Sequence, residues 1–200
     1  MKTSSITVAC ATGIEAGAAR RELGAAFRVV KTGIALRALR EDLGPVVVSC
    51  GLAGGLRHDL PTGTVVIPRE VEGLDGSRFA CDGEIGDALA RAAESLGCAV
   101  VREPLATTPV VVRGRRRDAL AARGYAAVDM ETGLIRAARV AAIRVILDTP
   151  QRELNGDWLR PLRTGIDPRN WGELLWLARE APACARLAAR VIGAASLREE

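Results

Sequence analysis

Aromatic residues are scarce in this chain, about 3% of its 200 residues, so the stacking platforms on which single-stranded nucleic-acid binders rely are largely missing. Charge of one sign is not in large excess either. The 28 basic residues, mostly Arg, face 24 acidic ones for a formal net charge of +4, a balance too even to single out nucleic acid as a partner. No apolar run approaches the ~18 residues that a membrane-spanning helix needs. The opening stretch MKTSSITVACATG carries one Lys and too short an apolar run for a signal peptide, so a cytoplasmic protein is expected. Cysteine pairs at metal or redox spacing are also lacking. Cys10, Cys50, Cys81, Cys98 and Cys184 are odd in number, widely spaced and set partly inside apolar runs, which reads as reduced core thiols. No His/Cys/carboxylate spacing suggests a metal, and no cofactor is expected. The lone His58 lies in a polar turn between Arg57 and Asp59 and reads as a solvated loop residue.

What is present is a hydrophobic content of 48% in a chain long enough to bury one continuous core and short of the size at which cores divide. A single domain is expected. Short β-branched apolar runs alternate with Ala/Leu/Arg segments of helical period, the pattern of an α/β sheet covered by helices on both faces. Strands are expected at 6–10, 27–31, 46–50, 64–71, 100–103, 107–112, 126–129 and 143–148. Helices are expected at about 15–24, 35–43, 84–97, 115–123 and 131–140, with three more after residue 155. Pro68 and Pro109 demote their runs to edges or bulges. Near Pro150 the strand pattern gives way to a stretch with three Trp and an Ala/Leu/Arg tail, so residues 1–150 read as the α/β core and 151–200 as a helical C-terminal extension. Pro182 suits the first turn of a last helix, whose Leu187, Val191 and Ile192 share one face. That face serves core or subunit packing, or contact with a membrane surface.

Three stretches carry chemistry. In Val46-Val47-Val48-Ser49-Cys50-Gly51-Leu52-Ala53-Gly54-Gly55-Leu56 a buried strand runs into a turn with three glycines. Such a turn lets backbone N–H groups approach an anion or a sugar, or is simply tight. In Ala127-Val128-Asp129-Met130-Glu131-Thr132 a strand ends with a carboxylate at the expected helix start, where negative charge is favourable with or without a ligand. Arg144-Val145-Ile146-Leu147-Asp148 is a strand that presents Asp148 at its C-terminal end, where open α/β sheets place ligands and where turn residues also occur. The run Arg113-Gly114-Arg115-Arg116-Arg117 could grip phosphate but reads as a solvated face leading into a helix.

Taken in order, VVVSCGLAGGL, LPTGTVVIP, AVDMET and RVILD resemble the nucleoside phosphorylase superfamily over residues 5–150. Past residue 150 the Pro, Gly, Leu and Trp positions resemble, more loosely, the hopanoid-associated phosphorylase branch. The resemblance implies a three-layer α/β/α architecture with a central mixed, twisted sheet, and an enzyme that breaks the bond between a purine and its ribose by phosphorolysis or hydrolysis. Such a reaction passes through an oxocarbenium-like sugar and needs an acid for the leaving base with negative charge near the cation. By resemblance Asp148 is that acid, Glu131 holds the ribose hydroxyls and Met130 packs on the sugar. Arg144 lines the nucleophile's pocket, and Gly51, Leu52, Ala53, Gly54, Thr107 and Val128 complete the substrate pocket. Gly13, Glu15 and Arg20 are expected beside phosphate or water, phosphate being a co-substrate if the reaction is phosphorolytic.

The sequence departs from the family pattern at three places. Gly17 stands where the family usually carries the phosphate-binding Arg of phosphorylases or the water-activating Glu of nucleosidases, with Glu15, Arg20 and Arg21 close by in sequence. Leu147 replaces the Ser that normally precedes the acid. The Met130–Asp148 segment is about six residues short, so the helix after Glu131 loses one or two turns. The expected substrate is an adenosyl conjugate, by resemblance adenosylhopane, or else a small nucleoside such as methylthioadenosine or futalosine. A member that binds purine without turnover is a third reading. Homo-oligomerisation is expected from the family, whose members form dimers, trimers or hexamers; the sequence does not choose among these, and a dimer is taken as the expectation.

Overall fold

A computed structural model of the chain describes residues 6–154 and 171–197. Among these, ten strands form one mixed sheet. Its centre is β1 (Ile6–Cys10), β3 (Val46–Gly55) and β10 (Arg139–Asp148), all parallel. β10 is buried along almost its whole length, as expected of a strand covered on both faces. β2 (Arg28–Lys31) continues the sheet beyond β1. β4 (Val65–Val66) pairs antiparallel with β10, and β7 (Val100–Val101) lies outside it.

The other side of the sheet branches at β3. Its first half takes β1 as neighbour, whereas Gly54 and Gly55 pair antiparallel with β9 (Ala127–Asp129). Beyond β9 follow β8 (Leu105–Thr107), β5 (Glu70–Glu72) and β6 (Arg78–Ala80). Where β3 passes from one neighbour to the other its backbone is open to other partners, and there the cleft described below is built.

Helices α1 (Gly13–Leu23), α2 (Gly83–Ser95) and α4 (Trp171–Ala194) share one core with one sheet face, through Ala16, Leu89, Ala188 and Ile192 against Val8, Val48, Ile143 and Val145. The short α3 (Arg115–Ala122) packs at the β8–β9 part of the sheet, its Leu120 and Ala121 near Leu56, Tyr125 and Val128.

Several elements differ from expectation for identifiable reasons. The helix expected at 35–43 is a single 3₁₀ turn, Ile34–Leu36, with Ala35 and Leu36 at positive φ. The strain of such left-handed residues, about 1–2 kcal/mol each, is offset in part by a hydrogen bond from the Ala35 N–H to Glu131 Oε1 at 3.2 Å. The helix expected at 131–140 shrinks to the 3₁₀ turn Thr132–Leu134. Thr132 and Gly133 are drawn down by Asp129 and Thr107, and the chain enters β10 at Arg139, four residues before the expected start. The run 64–71 divides around Pro68 into β4 and β5, and the strand expected at 107–112 ends at Thr107, before Pro109. β3 does not turn at its glycines, because β10 pairs with it as far as Gly54. From Trp171 onward one continuous helix replaces separate ones, with Pro182 in its interior rather than its first turn. Any helix between 155 and 170 lies outside the described residues. No helix among the described residues is long and apolar enough to cross a membrane.

Candidate active site

A cleft of about 220 Å³ opens where the sheet branches. Four buried carboxylates line it: Glu15, Glu131 and Asp148, at 4%, 8% and 5% exposure, and Asp129, which is held by Arg144. Leu52, Ala53, Gly54, Val128 and Met130 form part of its wall, and the 108–112 loop contributes Val110 and Val112.

Glu15 is fixed by its own helix. Thr12 caps α1 and the two residues form a capping box: Glu15 Oε2 accepts from the Thr12 N–H at 2.7 Å and from the Thr12 hydroxyl at 2.8 Å. Its Oε1 accepts from the Leu52 N–H at 2.9 Å, a backbone donor freed by the branching of the sheet. Gly51 makes this approach possible, since a Cβ there would collide with both the Glu15 carboxyl and the Arg144 guanidinium.

Glu131 follows β9 and faces the cleft, accepting from the Ala35 N–H and, at 3.3 Å, from the Met130 N–H. Burial raises its pKa to about 7, with the Asp129 charge adding to the effect and Arg144 opposing it. Arg144 lies beneath, 1% exposed, with its guanidinium on Asp129 at 2.7 Å, Ser49 at 2.7 Å and Thr132 at 2.8 Å, and only 3.9 Å from Glu131. Burial alone would depress its pKa, yet the charges of Asp129, Glu131 and Glu15 hold it above the ordinary value. Asp129 is held in turn by Thr107 at 2.7 Å.

Asp148 is delivered by an irregularity. β10 and β3 keep register to Ile146 opposite Ala53, and the next pair is Asp148 opposite Gly54, so Leu147 is an extra residue of a bulge. Such bulges re-aim the side chains beside them. Gly54 leaves space for the carboxyl, its virtual Cβ falling 3.1 Å from Asp148 Oδ1. The Asp148 carboxyl is pushed up by burial, against the pull of Arg117. Arg117, the third residue of α3, is 1% exposed and donates to Asp148 Oδ2, to the Gly55 carbonyl and to the Val112 carbonyl.

The structure therefore brings together eight of the residues expected from sequence: Asp148, Glu131, Glu15, Met130, Leu52, Ala53, Gly54 and Val128. It leaves out five. Arg144, Thr107 and Gly51 stand behind the wall, where the first two hold Asp129. Gly13 lines a separate surface groove with Gly17, whose missing Cβ would meet open space away from the cleft. Arg20 is exposed and points to the Val29 carbonyl. The absent Gly17 side chain therefore removes nothing from the cleft, and of Glu15, Arg20 and Arg21 only Glu15 lines it. Reading 113–117 as a solvated face fails at Arg117, whose position on the same helical face as Leu120 and Ala121 was the available signal. Asp129, Ser49 and Thr132 were also passed over as support for the site. His58 is exposed, as expected. Among the described residues no group of three His, Cys, Asp or Glu is placed to hold a metal ion.

A family model for the phosphorylase superfamily matches residues 8–163. This chain belongs to that superfamily, whose enzymes split the bond between a base and its sugar. Among solved structures it resembles a 5′-methylthioadenosine/S-adenosylhomocysteine nucleosidase from Neisseria meningitidis bound to methylthio-immucillin-A, at 20% identity and a TM-score of 0.72 over 97% of this chain and 98% of that one. It also resembles an S-adenosylhomocysteine nucleosidase from Streptococcus pyogenes in complex with 5-methylthiotubericidin, at 13% identity and a TM-score of 0.70 over 97% and 96%. A third is the futalosine hydrolase of Helicobacter pylori, at 12% identity and a TM-score of 0.68 over 94% and 95%. No curated protein matches the chain.

Proposed function

We propose that this cleft hydrolyses the N-glycosidic bond of an adenosyl-type nucleoside, with the purine toward Asp148, the ribose on Glu131 and Met130, and water activated by Glu15. The observation that carries the reading is the convergence of buried Glu15, Glu131 and Asp148 on one cavity of nucleoside size while Arg144 is withdrawn beneath it, occupied by a fourth carboxylate, Asp129. An incoming phosphate would face Glu15 and Glu131. Arg117, the one cation among the described residues lining the cleft, is already paired with Asp148. Hydrolysis therefore fits better than phosphorolysis. The nucleosidase and hydrolase names of the structural neighbours agree with this reading.

In the reaction the C1′–N9 bond breaks, its electron pair leaves on the purine and the proton of Asp148 goes to N7. The oxygen of water bonds C1′ and its proton goes to the Glu15 carboxylate, which has acceptor sites beyond those used by its capping bonds. Glu131 supplies negative charge beside the oxocarbenium-like sugar. Next to Ala35, whose N–H holds Glu131, Ile34 lines the cleft while still 38% exposed, which places an apolar surface at the sugar end. That suits an apolar 5′ substituent, and an adenosyl hopanoid is the substrate that the sequence resemblance favours.

The test is to incubate the protein with adenosylhopane, methylthioadenosine, futalosine and adenosine, with and without phosphate, and to follow the free base. Release without phosphate, fastest for the apolar 5′ group, is expected. Saturable binding without release of base would make the protein a nucleoside binder instead, and dependence on phosphate would overturn the role of Glu15.

A further inference from the structure

We infer that Arg117 is a positioning residue for the departure of the base, clamping one oxygen of Asp148 so that the other is presented to the purine, with Glu153 setting the strength of the clamp from behind. The inference rests on the proposed hydrolysis and adds to it a residue that the reaction does not itself require.

The observations are geometric. Leu147 offers no hydroxyl to its neighbour, and Asp148 leaves the regular strand pairing at a bulge, so its direction is not fixed by the sheet. Arg117 crosses to it from α3 as a buried donor set. The guanidinium is aimed by two backbone carbonyls: Nη1 donates to Gly55 O at 2.5 Å, and Nη2 donates to Val112 O at 3.2 Å as well as to Asp148 Oδ2. Gly55 belongs to β3 and Val112 to the loop that walls the cleft, so the rigid sheet and the loop both hold the fork. Its Nε is buried without a hydrogen bond but lies 3.3 Å from Glu153 Oε1, which accepts from the Gly114 N–H at 2.7 Å. Glu153 thus ties the segment after β10 to the start of α3 and partly neutralises the guanidinium. A buried Arg recruited with three backbone and carboxylate contacts is costly to desolvate, and its planar fork is suited to fixing one carboxylate in one orientation.

The charged groups facing Asp148 define the expected signs. Arg117 comes from α3, with Glu153 and, 3.9 Å from that, Arg113 behind it. Across the cleft stand Glu131 and Glu15, and below them Arg144 is bound to Asp129. The guanidinium favours the ionised carboxyl, whereas a proton on Asp148 is what the leaving purine takes. Removing the positive charge therefore keeps the acid protonated to higher pH, and removing the negative charge behind it does the reverse.

The experiment measures kcat against pH for base release by wild type, Arg117→Met, Arg117→Lys and Glu153→Gln. Arg117→Met should lower kcat at neutral pH by about 10²-fold through lost orientation and move the alkaline limb of the profile up by about one pH unit or more. Arg117→Lys, which keeps the charge and loses the fork, should lower kcat with the limb nearly in place. Glu153→Gln should move the limb down. If Arg117→Met fails to fold, the lysine variant and the opposite shift from Glu153→Gln decide. Limbs that stay put in all folded variants, or that move the same way in Arg117→Met and Glu153→Gln, overturn the inference while leaving the hydrolysis intact. A wild type that releases no base overturns the proposed function and this role with it.

Discussion

The two ends of the cleft solve one problem in opposite ways. Each has a buried carboxylate and a buried arginine. Around Glu131 the arginine is consumed elsewhere, by Asp129, Ser49 and Thr132, and stands 3.9 Å off. Around Asp148 the arginine binds the carboxylate directly. A burial-raised pKa near 7 at Glu131 follows from the first arrangement. A contest between burial and a direct ion pair follows from the second. What a buried carboxylate can do is thus set less by its depth than by whether its nearest cation is already occupied.

The sharpest way to separate the two ends is by kinetics. Asp148→Asn should lower kcat by about 10²–10⁴-fold, the usual worth of a positioned general acid, while Glu131→Gln should raise KM about 10–100-fold through a weakened charged hydrogen bond to the sugar and, with the negative charge beside the oxocarbenium-like sugar gone, lower kcat by less than Asp148→Asn does. Steady-state parameters for base release check both, and equal effects on kcat would erase the distinction. Next in size, Arg144→Met strands Asp129 without its cation and should cost about 3–5 kcal/mol of stability in denaturant titration. A loss below 1 kcal/mol would show that Arg144 is not a structural support.

A smaller effect distinguishes the ends by pH. Because the folded pKa of Glu131 lies above its ordinary 4.5, the folded state holds that proton more tightly than the unfolded chain. Its contribution is complete below about pH 4.5 and is lost as pH rises through 7, by roughly 1–3 kcal/mol. Glu131→Gln should flatten that slope, as read from Tm between pH 4.5 and 8. Smallest is Gly54→Ala, whose Cβ would press on Asp148 Oδ1 at 3.1 Å and Val128 Cγ1 at 3.3 Å. About 1 kcal/mol of destabilisation is expected from the crowding, with kcat affected more than KM.

Local pattern made much of this molecule legible. The apolar runs of β1, β9 and the 143–148 part of β10 and the helical periods of α1, α2 and α3 lie where composition and spacing put them, and Glu131 and Asp148 follow from strand ends. What escaped depends on distant partners. The segment at 35–43 has helical composition, but the hydrogen bond of Ala35 to Glu131, across 96 positions, and the positive φ of two residues make it a turn. The glycines after Cys50 look like a turn in isolation and are strand because β10 extends beside them. Arg117 sits in a charged run and is buried only because Asp148, 31 positions away, and the Gly55 carbonyl lie over its helix. Of Gly13, Glu15 and Arg20, expected together, only Glu15 reaches the cleft, held there by a bond to Leu52 that spans 37 positions.

The most direct measurement follows ¹⁸O from labelled water during base release in phosphate-free buffer. Label on C1′ of the sugar, at a rate that added phosphate does not change and that Glu15→Gln abolishes, is the expected result. Formation of a sugar 1-phosphate, or label incorporation unaffected by Glu15→Gln, would contradict the account.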